Sequence, residues 1–442
     1  MLKQKPYHYL LLFLSLSLYI TIGYGIQRHE TLPLFVCYFL LFLFYAWIII
    51  EMKENNFWIM AAILFRAALL FSVPALSDDF YRFIWDGRLL AAGQHPFAEV
   101  PSYYMTHNIS IPGIDSELYN KLNSKEYFTV YPPLSQFIFW LSVKLSPDSI
   151  YGSMFIMRLI IFSCEIGTLW IITKILRHFN QTPAAVLIYA LNPLAIIELT
   201  GNLHFEGGMI FFLLLGIFFL LRHKRFLSAA CYALSICAKL IPLIFLPLLL
   251  RQLGWKKATQ YWLMTGVITA LLCLPLLNRD IVNGFSQSMG YYFQKFEFNA
   301  SIYYLIREAG YFIFGFNIIQ IAGWVLGLVS AILILTISFY RIRNTITQGI
   351  DTNLFTGMLW CLLIFFLLTT TLHPWYIVSL VMISVFTPYR FPVLWSGLIF
   401  MTYAGYTDET FRENLQIVAL EYIIVIGYLL YETVWTSRLN HS

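Results

Sequence analysis

Leu32-Pro33-Leu34-Phe35-Val36-Cys37-Tyr38-Phe39-Leu40-Leu41-Phe42-Leu43-Phe44-Tyr45-Ala46-Trp47-Ile48-Ile49-Ile50 runs without a charged side chain. A helix needs roughly 20 predominantly apolar residues to cross the hydrocarbon core of a bilayer, and this stretch supplies them in one piece. Runs of the same kind recur at 8–26, 57–74, 152–173, 183–199, 207–221, a broken pair 226–238 and 241–250, then 258–277, 318–340, 354–371, 375–388, 391–404 and 416–436. The 442 residues are 59% hydrophobic and 12% charged, with a mean hydropathy of +0.71. The period-2 alternation of a transmembrane β-barrel is absent. The pattern predicts an all-α polytopic membrane protein, a bundle of about 13–14 transmembrane or half-spanning helices forming a single integral membrane domain over 1–442. Its six cysteines fall within apolar runs and lack metal-ligand spacing, so neither a disulfide framework nor a zinc site is expected. The first run follows Lys3 and Lys5 without a small-residue cleavage site and reads as a retained helix, with the mature chain starting at Met1.

Basic residues set the expected orientation. Lys3/Lys5, Lys53, Lys174/Arg177, Arg222/Lys224/Arg225, Arg251/Lys256/Lys257, Arg341/Arg343, Arg390 and Arg438 fall on one side if 226–250 is a hairpin of two short helices. That side is cytoplasmic by the positive-inside rule. Ala238-Lys239-Leu240-Ile241-Pro242 supplies the break, because proline removes a backbone donor and clashes with the preceding turn. The expected location is the cell membrane, a bacterial inner membrane, with multiple passes and both termini cytoplasmic. The opposite face receives 75–151, 200–206, 278–317, 405–415 and the corner at Leu372-His373-Pro374-Trp375-Tyr376. The first of these is too long for a connector and carries apolar pieces such as Phe137 to Leu145, so short helices lying in the interface are expected there. It is read as an extracytoplasmic catalytic loop, and 278–317 as a second extracytoplasmic loop. No internal repeat or soluble domain is evident.

Charge is scarce, so its placement is informative. Ser77-Asp78-Asp79-Phe80-Tyr81-Arg82-Phe83-Ile84-Trp85-Asp86-Gly87-Arg88 gathers three carboxylates and two guanidiniums where an apolar run ends. Two roles are open to Asp78 and Asp79. They suit a reaction in which an attacking hydroxyl must lose a proton, and they equally suit the N-terminus of a helix, where negative charge is favourable. A phosphate leaving group would need cations, for which Arg82, Arg88, Lys239 and His373 are candidates. Lys239 is the most telling of these. A lysine inside an apolar hairpin costs about 2.5–3.5 kcal/mol on insertion scales, so it should face a cavity, an anionic ligand or a partner carboxylate. Arg158 and Glu165 lie on one face of one helix and read as a buried structural pair. Arg66 has no partner visible in the sequence. In Asn202-Leu203-His204-Phe205-Glu206, the side chains of Asn202, His204 and Glu206 either decorate a polar turn or contact a sugar or a metal, although a His and a Glu two apart are too few to specify a metal site. Trp85, Tyr131, Trp375 and Tyr376 are candidates for stacking on sugar faces.

These motifs, with Gly93-Gln94-His95-Pro96-Phe97, Tyr131-Pro132-Pro133-Leu134, Leu191-Asn192-Pro193-Leu194, Lys239-Leu240-Ile241-Pro242 and His373-Pro374-Trp375-Tyr376, occur in the order seen in GT-C-type glycosyltransferases. Over residues 57–390 the chain resembles bacterial polyprenol-phosphomannose-dependent mannosyltransferases, and more distantly the catalytic subunit of GPI mannosyltransferase I. The resemblance implies a GT-C-like bundle with extracytoplasmic interfacial helices. It implies an inverting transferase that moves a hexose, mannose by analogy, from a polyprenyl-phosphate donor to a glycan, glycolipid or protein acceptor at the extracytoplasmic face. Nucleic acid is not an expected partner. An acidic residue eight positions before Asp86 is the implied base, which is Asp78, and Asp79 is its companion. In the GPI enzymes the second acid comes two positions after the first, where this chain has Phe80. A metal requirement is therefore left open: no cofactor is demanded, and a divalent cation is compatible. Asp86 and Tyr131 join the implied substrate contacts. The alternative from another class is a transporter or flippase of lipid-linked sugars, with Lys239 at the substrate site.

Overall fold

A computed structural model describes residues 5–51, 56–278, 280, 284, 286–288, 290, 295–339, 350–406 and 411–439. Lys3, Lys53, Arg341, Arg343 and part of the loop 278–317 lie outside the described residues. Every apolar run predicted above meets a helix, and the described residues contain no β-strand beyond two isolated bridges. Six helices are long and apolar enough to cross a membrane: Pro6–Gly25, Thr31–Ile50, Ile150–His178, Trp255–Leu276, Ile319–Phe339 and Leu415–Val434. Shorter apolar helices, among them Asn56–Ala68, Glu206–Leu221, Arg225–Ala238, Asn353–Leu368 and Pro374–Ser384, complete the bundle. The chain is an all-α polytopic membrane protein.

Proline sets several of the helix starts. Pro6, Pro133, Pro193 and Pro374 each open a helix, where the ring presets φ and the missing N–H is one of the orphan donors anyway. At 183–199 the single expected span is instead a bent pair, Pro183–Ala190 and Pro193–Gly201, at 56°. Pro193 cannot donate to the preceding turn, and Asn192 caps the new helix by accepting from the Ala195 N–H at 3.2 Å. The second half continues as a π-helical turn, Ile196–Gly201. The break expected near Lys239 is present. The Arg225–Ala238 helix stops, Lys239 is extended, and a 3-10 segment Ile241–Leu248 follows.

Contacts divide the chain into two compact units, one of 1–76, 162–204 and 373–442, the other of 77–161 and 205–372. In the first, the guanidinium that meets Glu165 is Arg66, at 3.0 Å with both side chains fully buried. Arg66 also donates to the Ala190 carbonyl, and Tyr189 donates to the other Glu165 oxygen at 2.6 Å. Glu165 is thereby met from another helix, a partner for Arg66 that the sequence did not reveal, and its carboxylate is satisfied from two sides. In the second unit the first long loop folds into short helices, including Asp79–Ala91, Pro101–Thr106, Ser116–Asn120 and Pro133–Leu145. Asp79–Ala91 packs on Pro133–Leu145 at Gly87, where a Cβ would stand 2.5 Å from the Phe139 carbonyl oxygen. Backbone cannot yield as a side chain does. Gly87→Ala is expected to destabilise the protein by about 1–3 kcal/mol, the range for overpacking, read as a lower melting temperature in detergent. A melt unchanged from the parent would show that the two helices can separate freely.

Candidate functional site

In the second unit, Asp78 and Asp79 sit half-buried at the start of the Asp79–Ala91 helix. Their position is the one a capping pair would take, yet the Asp78 side chain makes no capping hydrogen bond. The Ser77 hydroxyl accepts from the Asp79 N–H at 3.3 Å in its place. Asp79 is held from outside the helix, its Oδ1 accepting from the Asn123 amide at 2.8 Å. Burial pushes the neighbouring Tyr81 phenol up, which keeps it protonated at neutral pH.

One turn on, Arg82 and Asp86 form a buried i,i+4 pair at 2.8 Å. Arg82 Nη1 donates to the carbonyls of Ser124 and Tyr127 at 3.0 and 2.9 Å, and Gln136 donates to the other Asp86 oxygen at 3.0 Å. Arg88 is also buried and donates to the Gly113 carbonyl, and burial lowers its guanidinium below the usual range. Both arginines are thus tied to the loop backbone that folds around their helix. Trp85 is fully buried, with Tyr104 and Tyr119 at 6.2 Å from its ring. Tyr131 stands edge-on to Phe83 at 4.8 Å, and Phe83 stacks on Phe139 at 4.7 Å.

Lys239, expected to find a cavity, an anion or a carboxylate, finds a carboxylate. It pairs with Glu206 in the same unit. Glu206 is fully buried in the first turn of the Glu206–Leu221 helix, where its charge suits the helix dipole, and its Oε2 has no hydrogen-bond partner among the described residues. Lys239 keeps 18% of its side chain exposed. It is the member of the pair that can meet a ligand.

In the first unit the polar turn is organised by a residue that sequence reasoning passed over. Glu198, fully buried in the π-helical turn, accepts from Tyr403 at 2.8 Å and from Asn202 at 3.2 Å. His204 Nε2 lies 3.4 Å from the same carboxylate, too poorly aligned for a hydrogen bond. Asn202 also receives the Leu76 N–H at 3.4 Å, and Leu203 between them adopts the left-handed region at φ +66°. Such backbone in a non-glycine residue is uncommon and clusters at functional sites, as π-bulges do. A lone carboxylate in the apolar run 183–199 was the available signal for Glu198. The imidazoles of His204 and His373 both lie parallel to the Trp375 ring, at 3.7 and 4.4 Å between centroids, and Tyr376 meets His373 edge-on. Imidazole therefore already stacks against Trp375, the ring proposed for a sugar. Among the described residues no three His, Cys, Asp or Glu side chains converge as a metal-ligand set.

The helices and these buried polar groups define a multi-pass membrane protein. Residues 18–280 match the family described as alpha-(1->6)-mannopyranosyltransferase, N-terminal domain, and the chain belongs to that family. It is 22% identical over 344 residues to alpha-(1->6)-mannopyranosyltransferase A of Mycobacterium tuberculosis, a match spanning 71% of this chain and 62% of the relative. It is 26% identical over 180 residues to alpha-(1->6)-mannopyranosyltransferase A of Corynebacterium glutamicum, spanning 40% of this chain and 35% of that one. The chain thus covers less than two thirds of the curated relatives it matches.

Proposed function

We propose that this chain is an inverting, GT-C-type mannosyltransferase that uses a polyprenyl-phosphate mannose donor and forms an α-(1→6) linkage at the extracytoplasmic membrane face. The observation that carries this reading is the Asp78–Asp79 pair at the start of a buried helix whose cap residue, Asp78, makes no side-chain capping bond. Asp78 takes the proton of the acceptor hydroxyl as its oxygen attacks the anomeric carbon. The bond from that carbon to the donor phosphate oxygen breaks, and polyprenyl phosphate leaves. Inversion with an α product requires a β-linked donor. Asp79, fixed by Asn123, orients the acceptor. Lys239 meets the charge that grows on the leaving phosphate, while Arg82, Asp86 and Arg88 hold the helix and its loop in shape. Glu198 fixes the turn that carries Asn202 and His204. The acceptor is a glycan or glycolipid with a free primary hydroxyl.

Purified protein in detergent, given radiolabelled polyprenyl-phosphate sugars and a mannoside acceptor, should transfer mannose into a product that an α-(1→6)-specific mannosidase cleaves. A flippase would move the donor across liposomes with its glycosyl bond intact and label no acceptor, which would overturn the assignment. The orientation has its own test. In a cysteine-free background, Ser116→Cys should react with an impermeant thiol reagent added outside, and Thr182→Cys should not; both positions are exposed in the fold. The reverse pattern would invert the topology.

A further inference from the structure

A cavity of about 270 Å³ opens in the first unit. Lys5, Tyr7, His8, Trp47, Glu51 and Trp58 line it. It lies where the Pro6–Gly25 helix begins and the Thr31–Ile50 helix ends. Both are candidate spans, so the cavity falls at a membrane–water boundary, the depth at which lipid headgroups and aromatic belts lie.

We propose that this cavity binds the headgroup of a zwitterionic, ammonium-bearing phospholipid, with the ammonium against Glu51 and the aromatic rings and the phosphate against Lys5 and His8. Glu51 sits at the C-terminal end of its helix, where the dipole disfavours an anion and a cation is welcome. Its two oxygens are held by neutral donors, the Tyr7 hydroxyl at 2.8 Å and the Trp47 indole N–H at 3.2 Å. Those bonds, Tyr7 first, hold its carboxyl below the usual range, so the charge persists at neutral pH. The walls suit a cation as well. Tyr7 and Trp47 lie nearly parallel at 6.2 Å, and the Lys5 ammonium already stands 5.4 Å over the Tyr7 ring. Lys5 brings the opposite charge preference to the same cavity, and His8 brings an imidazole beside it. An anionic lipid without an ammonium would satisfy them but face Glu51, whereas a zwitterion satisfies both halves. The adjoining surface is apolar, with Tyr9, Leu10 and Phe13 exposed, as acyl chains require.

The test is native mass spectrometry of the delipidated full chain, titrated with phosphatidylethanolamine or phosphatidylglycerol of identical acyl chains. The wild type should retain the former at about two- to fivefold lower lipid concentration, the scale of one cation–π contact at an exposed site. Glu51→Gln should bring the two lipids to near parity with an unchanged melting temperature. Should that variant fold poorly, Trp47→Leu, at a half-exposed wall, should erase the same preference. Equal retention of the two lipids by the wild type would overturn the site. So would a wild-type preference surviving in a folded Glu51→Gln or Trp47→Leu protein.

Discussion

Asp78→Asn is expected to abolish turnover while leaving expression, melting temperature and donor binding close to the wild type. A sugar hydroxyl is a poor nucleophile at neutral pH, and removal of its proton by a positioned carboxylate is worth about 10²–10⁴ in rate. Asparagine has the shape of aspartate but cannot accept that proton. The usual objection, that an aspartate before a helix is there to cap it, makes a different prediction, because asparagine caps nearly as well as aspartate. Here that objection is weaker still, since the Ser77 hydroxyl accepts from the Asp79 N–H and the Asp78 side chain makes no capping bond. Asp79→Asn should be the milder change. Its Oδ1 can still accept from Asn123 if the new amide turns its oxygen that way. Radiolabelled mannose transfer measured against donor binding decides between the outcomes. If Asp79→Asn is dead and Asp78→Asn active, the base is Asp79; if both remain active, the pair is a structural helix start and the transferase assignment loses its base.

The helices were legible in the sequence because a bilayer demands apolar segments, although among the described residues only six of them reach, as single helices, a length that crosses it. The polar interior was less so. Periodicity relates residues on one helix, as for Arg158 and Glu165, whereas Arg66 reaches Glu165 from another helix far away in sequence, which no spacing reveals. The bend at Asn192-Pro193 had its signal in the proline, but an uninterrupted apolar composition on both sides masked it. Glu198 is the instructive omission. It stands alone between isoleucine and leucine in the sequence, and only the π-helical turn shows that its carboxylate collects Tyr403, Asn202 and the edge of His204. Lys239 was recognised as costly, and the need for a counter-charge followed from that cost. That the counter-charge is Glu206, one of the residues singled out for substrate, required the fold.

That pairing changes what a lysine substitution means. Lys239→Met keeps the length of the stem and removes the ammonium, and by itself it would strand the fully buried Glu206 carboxylate, whose Oε2 already lacks a hydrogen bond. Breaking a buried pair from one side costs about 3–5 kcal/mol, because the remaining charge is left uncompensated. The single variant is therefore expected to melt well below the wild type, and its loss of activity would say little about the donor. Lys239→Met combined with Glu206→Gln removes both charges and should recover most of the lost stability, since replacing a buried ion pair by neutral groups is often close to neutral. The decisive measurement is donor saturation in this double variant. If the exposed part of Lys239 meets the donor phosphate, the apparent donor KM should rise and kcat should fall together despite the restored melt, because the ammonium acts on the phosphate both in the ground state and as its charge grows. If the double variant saturates with donor as the wild type does, Lys239 serves only to neutralise Glu206, and the leaving phosphate must be met by another cation.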